Sequence, residues 1–145
     1  MSERNQEYDF KWCPGCGDFG VKRALEMAGV THNDIDLTMI YDSFTYTVLL
    51  SLEDLGFCSK GEGPDFVKGQ RTAPGGDFPL NTNGGGLSYC HPGQYGIFLL
   101  IESVRQLRNE CGERQVPNAT LAMASGTGGV PVSYTHLTLP TILLV

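Results

Sequence analysis

Asn81–Leu107, NTNGGGLSYCHPGQYGIFLLIESVRQL, joins a polar, glycine-rich run to an apolar segment of helical period, with His91 near the junction. Ile97, Leu100, Ile101, Val104 and Leu107 recur at helical intervals, which predicts an amphipathic helix with Glu102, Arg105, Gln106 and Arg108 facing water. Ahead of it, consecutive glycines permit torsions and close approaches that a Cβ resists, and Asn81 and Asn83 add amide donors and acceptors on short side chains. Imidazole titrates near neutrality, so it can take a proton from a nucleophile or donate to a developing oxyanion. The stretch therefore reads as a site built around His91. The same residues also compose an ordinary turn histidine, because Gly and Pro punctuate loops of every kind.

Working outward, Lys11–Asp18 (KWCPGCGD) is a tight turn holding Cys13 and Cys16 at metal-ligand spacing, and it feeds a short helix through Val21, Ala24, Leu25 and Ala28 that Gly29 can cap. Leu37–Tyr41 has the length and apolarity of a buried strand. Val48, Leu49, Leu52 and Leu55 share one face of a second helix, with Glu53 and Asp54 towards the other and Gly56 closing it. Phe57–Leu80 has no sustained period and is rich in glycine and proline, so a surface excursion is expected and a strand is not. Thr120–Ala124 reads as another buried strand emptying into a glycine-rich loop, SGTGG. Strands alternating with helices imply an α/β layer arrangement, in which ligands gather beyond the carboxyl ends of the strands.

Composition narrows the classes. At 145 residues one domain with a real core is expected. Ten basic against sixteen acidic residues, a net charge of -6 and no basic run argue against a nucleic-acid partner. There is no apolar leader and no apolar run of membrane-spanning length, so a cytoplasmic chain without a membrane span is expected. Five cysteines in scattered contexts suit a reducing compartment better than a disulfide framework.

Three stretches, IDLTMIYDSFTYTVLLSLEDLGFC, PLNTNGGGLSYCHPGQYG and VRQLRNECGERQVPNATLAMASGTGG, together resemble the C-terminal half of a thiolase, of the subgroup containing sterol-carrier-type and archaeal acetyl-CoA acetyltransferase-like proteins. The resemblance covers residues 23–130. It implies a thiolase-like C-terminal half-domain, incomplete by itself, with helices layered on a mixed β-sheet, and it implies the other half as partner. It further implies acyl-CoA as substrate without metal or prosthetic group, and a thiolase-type homo-oligomer or an accessory CoA-enzyme partner. By position, His91 matches the histidine that activates the family's nucleophilic cysteine and binds the thioester oxyanion. Asn81, Asn83, Gly84 and Gly85 match the approach to that histidine, and either set loop geometry or line the pocket floor. Tyr41, Asp42, Ser43 and Phe44 fall where thiolases carry Asn-Glu-Ala-Phe or His-Asp-Cys-Phe, and Ser125 with Gly126 stands near the place of a catalytic cysteine. Cys90 occupies a usual glycine position and, as the thiol nearest His91 in sequence, is a candidate nucleophile, the alternative being a small buried packing residue. Tyr41, Ser43 and Ser125 depart from the active pattern, so a non-catalytic scaffold or lipid-transfer-type role is the alternative to an acyltransferase.

The first 28 residues resemble instead the opening of a 2-oxoacid:ferredoxin oxidoreductase beta subunit, where Cys13 and Cys16 match two ligands of an iron-sulfur cluster and thiamine diphosphate lies near Gly17 and Asp18. Two ligands do not make a cluster, and Cys58, Cys90 and Cys111 belong to thiolase-like sequence, so neither cofactor is expected here. VSYTHLTLPT, residues 132–141, resembles a translated sequencing adapter; the alternative is that VSYTHLTLPTILLV is the last β-strand of the half-domain, alternating threonine with apolar residues. The expected division is therefore a chimera: an oxidoreductase-like segment at 1–22, a thiolase-like domain at 23–130 and a non-native tail at 131–145.

Overall fold

The computed structural model describes residues 25–128 and 132–138, with side chains through Gly126. A helical turn at 25–28 and a 3-10 turn at His32–Asp34 lead into strand β1 (Leu37–Ile40). Helices α1 (Thr45–Asp54), α2 (Gly63–Phe66), α3 (Gly85–Ser88) and α4 (Gly96–Leu107) follow, and then strands β2 (Ala122–Gly128) and β3 (Val132–Thr138). The sheet order is β1-β2-β3, parallel between the first two and antiparallel between the last two. This is the mixed sheet expected of the fold.

Alternation along the strands puts a hydrophobic layer on each face. Leu37 and Met39 of β1 and Ala122 and Ala124 of β2 pack with Leu99, Leu107 and Tyr95 from the α4 side. Ile40 and Met123 face the other way, onto Leu52 of α1, Leu55 just beyond it and Leu25. Full burial of side chains such as Leu37, Met39, Ile40, Leu52, Leu99 and Met123 stabilises the fold by about 2 kcal/mol each before chain entropy is counted. One carboxylate sets the parallel register: Asp36 Oδ2 accepts the Thr120 and Leu121 N–H groups at 2.7 and 2.9 Å, joining the start of β1 to the approach to β2. Gly29 ends the 25–28 turn at φ +67, with its N–H on the Glu26 carbonyl and the Val30 N–H on the Leu25 carbonyl.

Three expectations change. The α4 face is rotated: Glu102 and Gln106 are buried, whereas Ile97 and Ile101 are 53% and 47% exposed. Polar partners for Glu102 and Gln106 make that burial possible, as described below. Ser125–Gly128 is not a loop but the end of β2, whose backbone finds partners along β3, Ser125 opposite Thr135 and Gly128 opposite Val132. Residues 79–81 extend the sheet instead of leaving it, because the Thr38 N–H donates to the Pro79 carbonyl and the Asn81 N–H to the Thr38 carbonyl, both at 3.0 Å. The excursion before them packs inward through Phe57, Phe66 and Phe78, whose ring centroids lie 4.9 and 5.0 Å apart in successive edge-to-face pairs. The Cys13–Cys16 turn, residues 1–22 and the tail after Thr138 lie outside the described residues.

Candidate functional site

The site grows from the end of β1. Asn81, at φ +48, turns its amide back onto that strand: Oδ1 accepts the Ile40 N–H at 2.8 Å and Nδ2 donates to the Ile40 carbonyl at 2.9 Å, as a neighbouring strand would. Beyond Ile40, the Tyr41 N–H donates to the Ser125 carbonyl at 2.9 Å. Asp42, 4% exposed, then accepts the Gly86 and Leu87 N–H groups at 2.7 and 3.1 Å. A carboxylate receiving two amides at the start of α3 is a clamp, and the glycines beneath it are obligatory. Gly84 and Gly85 sit at φ +91 and +70, and a Cβ on Gly85 would lie 2.2 Å from Asp42 Oδ2. A Cβ on Gly86 would lie 3.0 Å from both Cε1 and Nδ1 of His91, so the imidazole rests against bare backbone.

His91 is exposed at the rim. Its ring centroid lies 6.1 Å from that of Tyr41 and 6.5 Å from that of Tyr95, and the two tyrosine rings lie 5.1 Å apart. Tyr95 is buried and donates to the Tyr89 hydroxyl at 2.8 Å; Asn83 Nδ2 donates to the same oxygen at 3.0 Å. Burial, that hydrogen bond and the nearby Asp42 charge push the Tyr95 phenol well above its usual range, so it stays protonated. Asn83 also receives the Gly85 N–H at 3.0 Å, tying the glycine turn to the phenol pair.

The remaining predicted residues have definite places. Ser43 meets the Thr47 hydroxyl at 3.2 Å at the start of α1, where Thr47 also holds the Phe44 backbone. Ser125 is buried on β2, and Gly126 follows it in register with Tyr134. Cys90 is exposed beside His91. Burial raises the Cys58 thiol, reinforced by Glu53 and Glu62, and burial raises Cys111, reinforced by Glu102, so neither is poised as a thiolate. Among the described residues, no group of three or more His, Cys, Asp or Glu side chains could hold a metal ion, and no helix is long and apolar enough to cross a membrane.

Tyr89, Tyr95, Thr82 and Glu102 were not singled out as site residues from sequence. Two tyrosines flank His91 in the quoted stretch, and a threonine stands between the two asparagines. Those were the signals available. The assembled geometry sets an exposed imidazole beside the Tyr41 ring and the hydrogen-bonded Tyr89–Tyr95 pair, an arrangement able to move a proton at, or donate to, a substrate oxygen.

The chain matches the acetyl-CoA acetyltransferase of Methanothermobacter thermautotrophicus with 42% identity over 109 residues, 74% of this chain and 28% of that protein. Human sterol carrier protein 2 is 39% identical over 114 residues, covering 77% of this chain and 21% of that one. Among solved structures, the Ltp2-ChsH2(DUF35) aldolase superposes with a TM-score of 0.73 at 31% identity, over 90% of this chain and 35% of that chain. The chain thus spans between 21% and 35% of the length of these proteins. The thiolase C-terminal domain-like family model matches residues 16–141. With that match added to the mixed sheet and the histidine loop, the chain belongs to the thiolase C-terminal domain-like family.

Proposed function

We propose that this chain is the histidine-bearing portion of a thiolase-type acyltransferase acting at the carbonyl of an acyl-CoA thioester. The observation that carries the reading is the exposed His91 imidazole, seated on Gly86 and facing Tyr41. In this reading His91 exchanges protons with the nucleophile and donates to the thioester oxyanion. Tyr41 closes one side of that oxygen site. Asp42 positions the loop through its two amide bonds, Gly84 and Gly85 shape the substrate side of the loop by turning the backbone at positive φ, and Gly126 lines it from β2. Ser43 and Ser125 contribute polar lining, and Cys90 is a thiol at the rim. The partners are acyl-CoA, the nucleophile-bearing N-terminal half of a thiolase, and a homo-oligomeric or accessory CoA-enzyme assembly. Acyl transfer between thiols is redox-neutral, so the reading needs no oxidant or reductant.

A second reading is favoured by Tyr41 standing among Tyr95 and His91 where thiolases carry Asn or His, and by the likeness to an aldolase. In a retro-aldol cleavage, a base takes the proton of a β-hydroxyl, the Cα–Cβ bond breaks to leave a carbonyl product, and the enolate of the thioester is protonated at Cα. No thiol nucleophile is needed. Assembling the enzyme from this chain and a thiolase N-terminal half separates the readings. CoA-dependent cleavage of acetoacetyl-CoA supports the acyltransferase, CoA-independent cleavage of a β-hydroxyacyl-CoA supports the lyase, and failure of both supports a non-catalytic scaffold. For the chain ends we propose the division at 22/23 and 130/131, which resequencing of the source DNA across the codons for Arg23 and Val130 tests.

A further inference from the structure

We propose that Glu102 is a positioning residue for the His91 loop, acting through the Thr82 hydroxyl and held in place by Arg114; this rests on the reading of His91 as the chemical group. Glu102 lies on the inward face of α4, 3% exposed. Arg114 grips it with two parallel bonds, Nε to Oε1 at 2.9 Å and Nη2 to Oε2 at 3.1 Å. Thr82 Oγ1 donates to Oε1 at 2.9 Å, and Gln106 Nε2 donates both to the Thr82 hydroxyl at 3.0 Å and to the Arg114 carbonyl at 2.9 Å. Burial opposes ionisation of Glu102, but the hydrogen bonds from Arg114, Thr82 and Gln106 outweigh it and hold the carboxyl below its usual range.

Glu102 is buried while Arg114 lies at the surface, so desolvation of the carboxylate offsets much of what the pair contributes to stability. What the pair adds is placement. Thr82 stands between Asn81, whose amide brackets Ile40, and Asn83, whose amide holds Gly85 and Tyr89. The loop is thereby anchored to β1 through Asn81, to α4 through Thr82 and to its own turn through Asn83. Removing the middle anchor leaves the glycines free to drift from Asp42, and Gly86 from beneath the imidazole.

Amide hydrogen exchange on the full chain tests this without substrate, so an enzyme that turns nothing over would sink the functional reading while leaving this test intact. Thr82→Val keeps the shape and removes the hydroxyl; Thr82→Ser restores it. In Thr82→Val, exchange at Gly86 and Leu87 is expected to rise about tenfold or more, with the Leu99–Leu107 amides unchanged, and Thr82→Ser is expected to restore protection. The His91 Hε1 resonance should shift in the Val variant and return in the Ser variant. Glu102→Leu, which removes the acceptor of the Thr82 hydroxyl, should reproduce the Val result, whereas Glu102→Gln keeps an oxygen acceptor there. Unchanged protection at Gly86 and Leu87, equal loss of protection through α4, or failure of serine to rescue would each overturn the proposal.

Discussion

At the scale of single residues, the site depends on the absence of side chains as much as on their presence. Gly85 combines a left-handed φ with a Cβ position 2.2 Å from the Asp42 carboxylate. Gly85→Ala should therefore cost about 2–3 kcal/mol, from strain at positive φ and loss of the Asp42 clamp, measured by urea unfolding. Gly86→Ala presses on the His91 ring, 3.0 Å from two atoms, and on Asp42 Oδ1 at 3.2 Å, so it perturbs the imidazole and the clamp together. In the assembled enzyme we expect His91→Ala to lower kcat by about a hundredfold or more and Gly86→Ala by a smaller factor, with stability nearly retained in the first. Equal activity in the His91→Ala enzyme would remove the imidazole from the reaction. Cys90 is exposed beside His91: iodoacetamide labelling faster than that of a model thiol would mark it as an activated nucleophile, and labelling no faster would remove it from the reaction.

At the scale of elements, the strand at Leu37–Tyr41, the α1 helix and the α4 helix were all legible, because each has an apolar pattern of the right period and a glycine or polar turn at its end. The orientation of α4 was not. Hydrophobic period placed Glu102 and Gln106 in water, and only the distant Thr82 and Arg114, unrecognisable as partners from the linear order, turn that face inward. Ser125–Gly128 looked like a loop for a similar reason, since its partners on β3 are what make the glycines a strand. The loop carrying His91 stood out as a candidate by its composition, and Tyr95 did not, because its place depends on packing against Tyr41. The buried carboxylate carries a pH consequence. Its folded-state value is depressed, so its contribution to stability is complete above the ordinary carboxylate value and is lost as pH falls through the folded one. Between neutral pH and about pH 3, wild type should lose more thermal stability than Glu102→Gln, measured by the shift in Tm. Parallel losses in the two proteins would remove Glu102 from the acid response.

At the scale of the whole molecule, the two helical layers are apolar on the outside as well as the inside. Ile97 and Ile101 lie one turn apart on the outward face of α4, with Phe98 36% exposed beside them. Phe98 meets the Tyr89 ring at 6.4 Å, which carries this surface up to the rim where His91 stands. On the opposite layer Tyr46 and Leu50 of α1 are 57% and 51% exposed, and Phe44 stacks on Tyr46. Contiguous apolar surface of this kind is an interaction surface or an aggregation liability. In our proposal the covering partner is the thiolase N-terminal half, so the chain alone should self-associate at micromolar concentration, with a light-scattering mass above that of the 15.8 kDa monomer. Ile97→Lys with Ile101→Lys should shift the chain towards monomer, because a charge on that face opposes its burial. The same double substitution should weaken capture by the N-terminal half in a pull-down, while Tyr46→Lys with Leu50→Lys reports whether the α1 layer is covered as well. A wild-type chain that stays monomeric, together with an N-terminal half that binds both variants undiminished, would show that neither outer face is the docking surface.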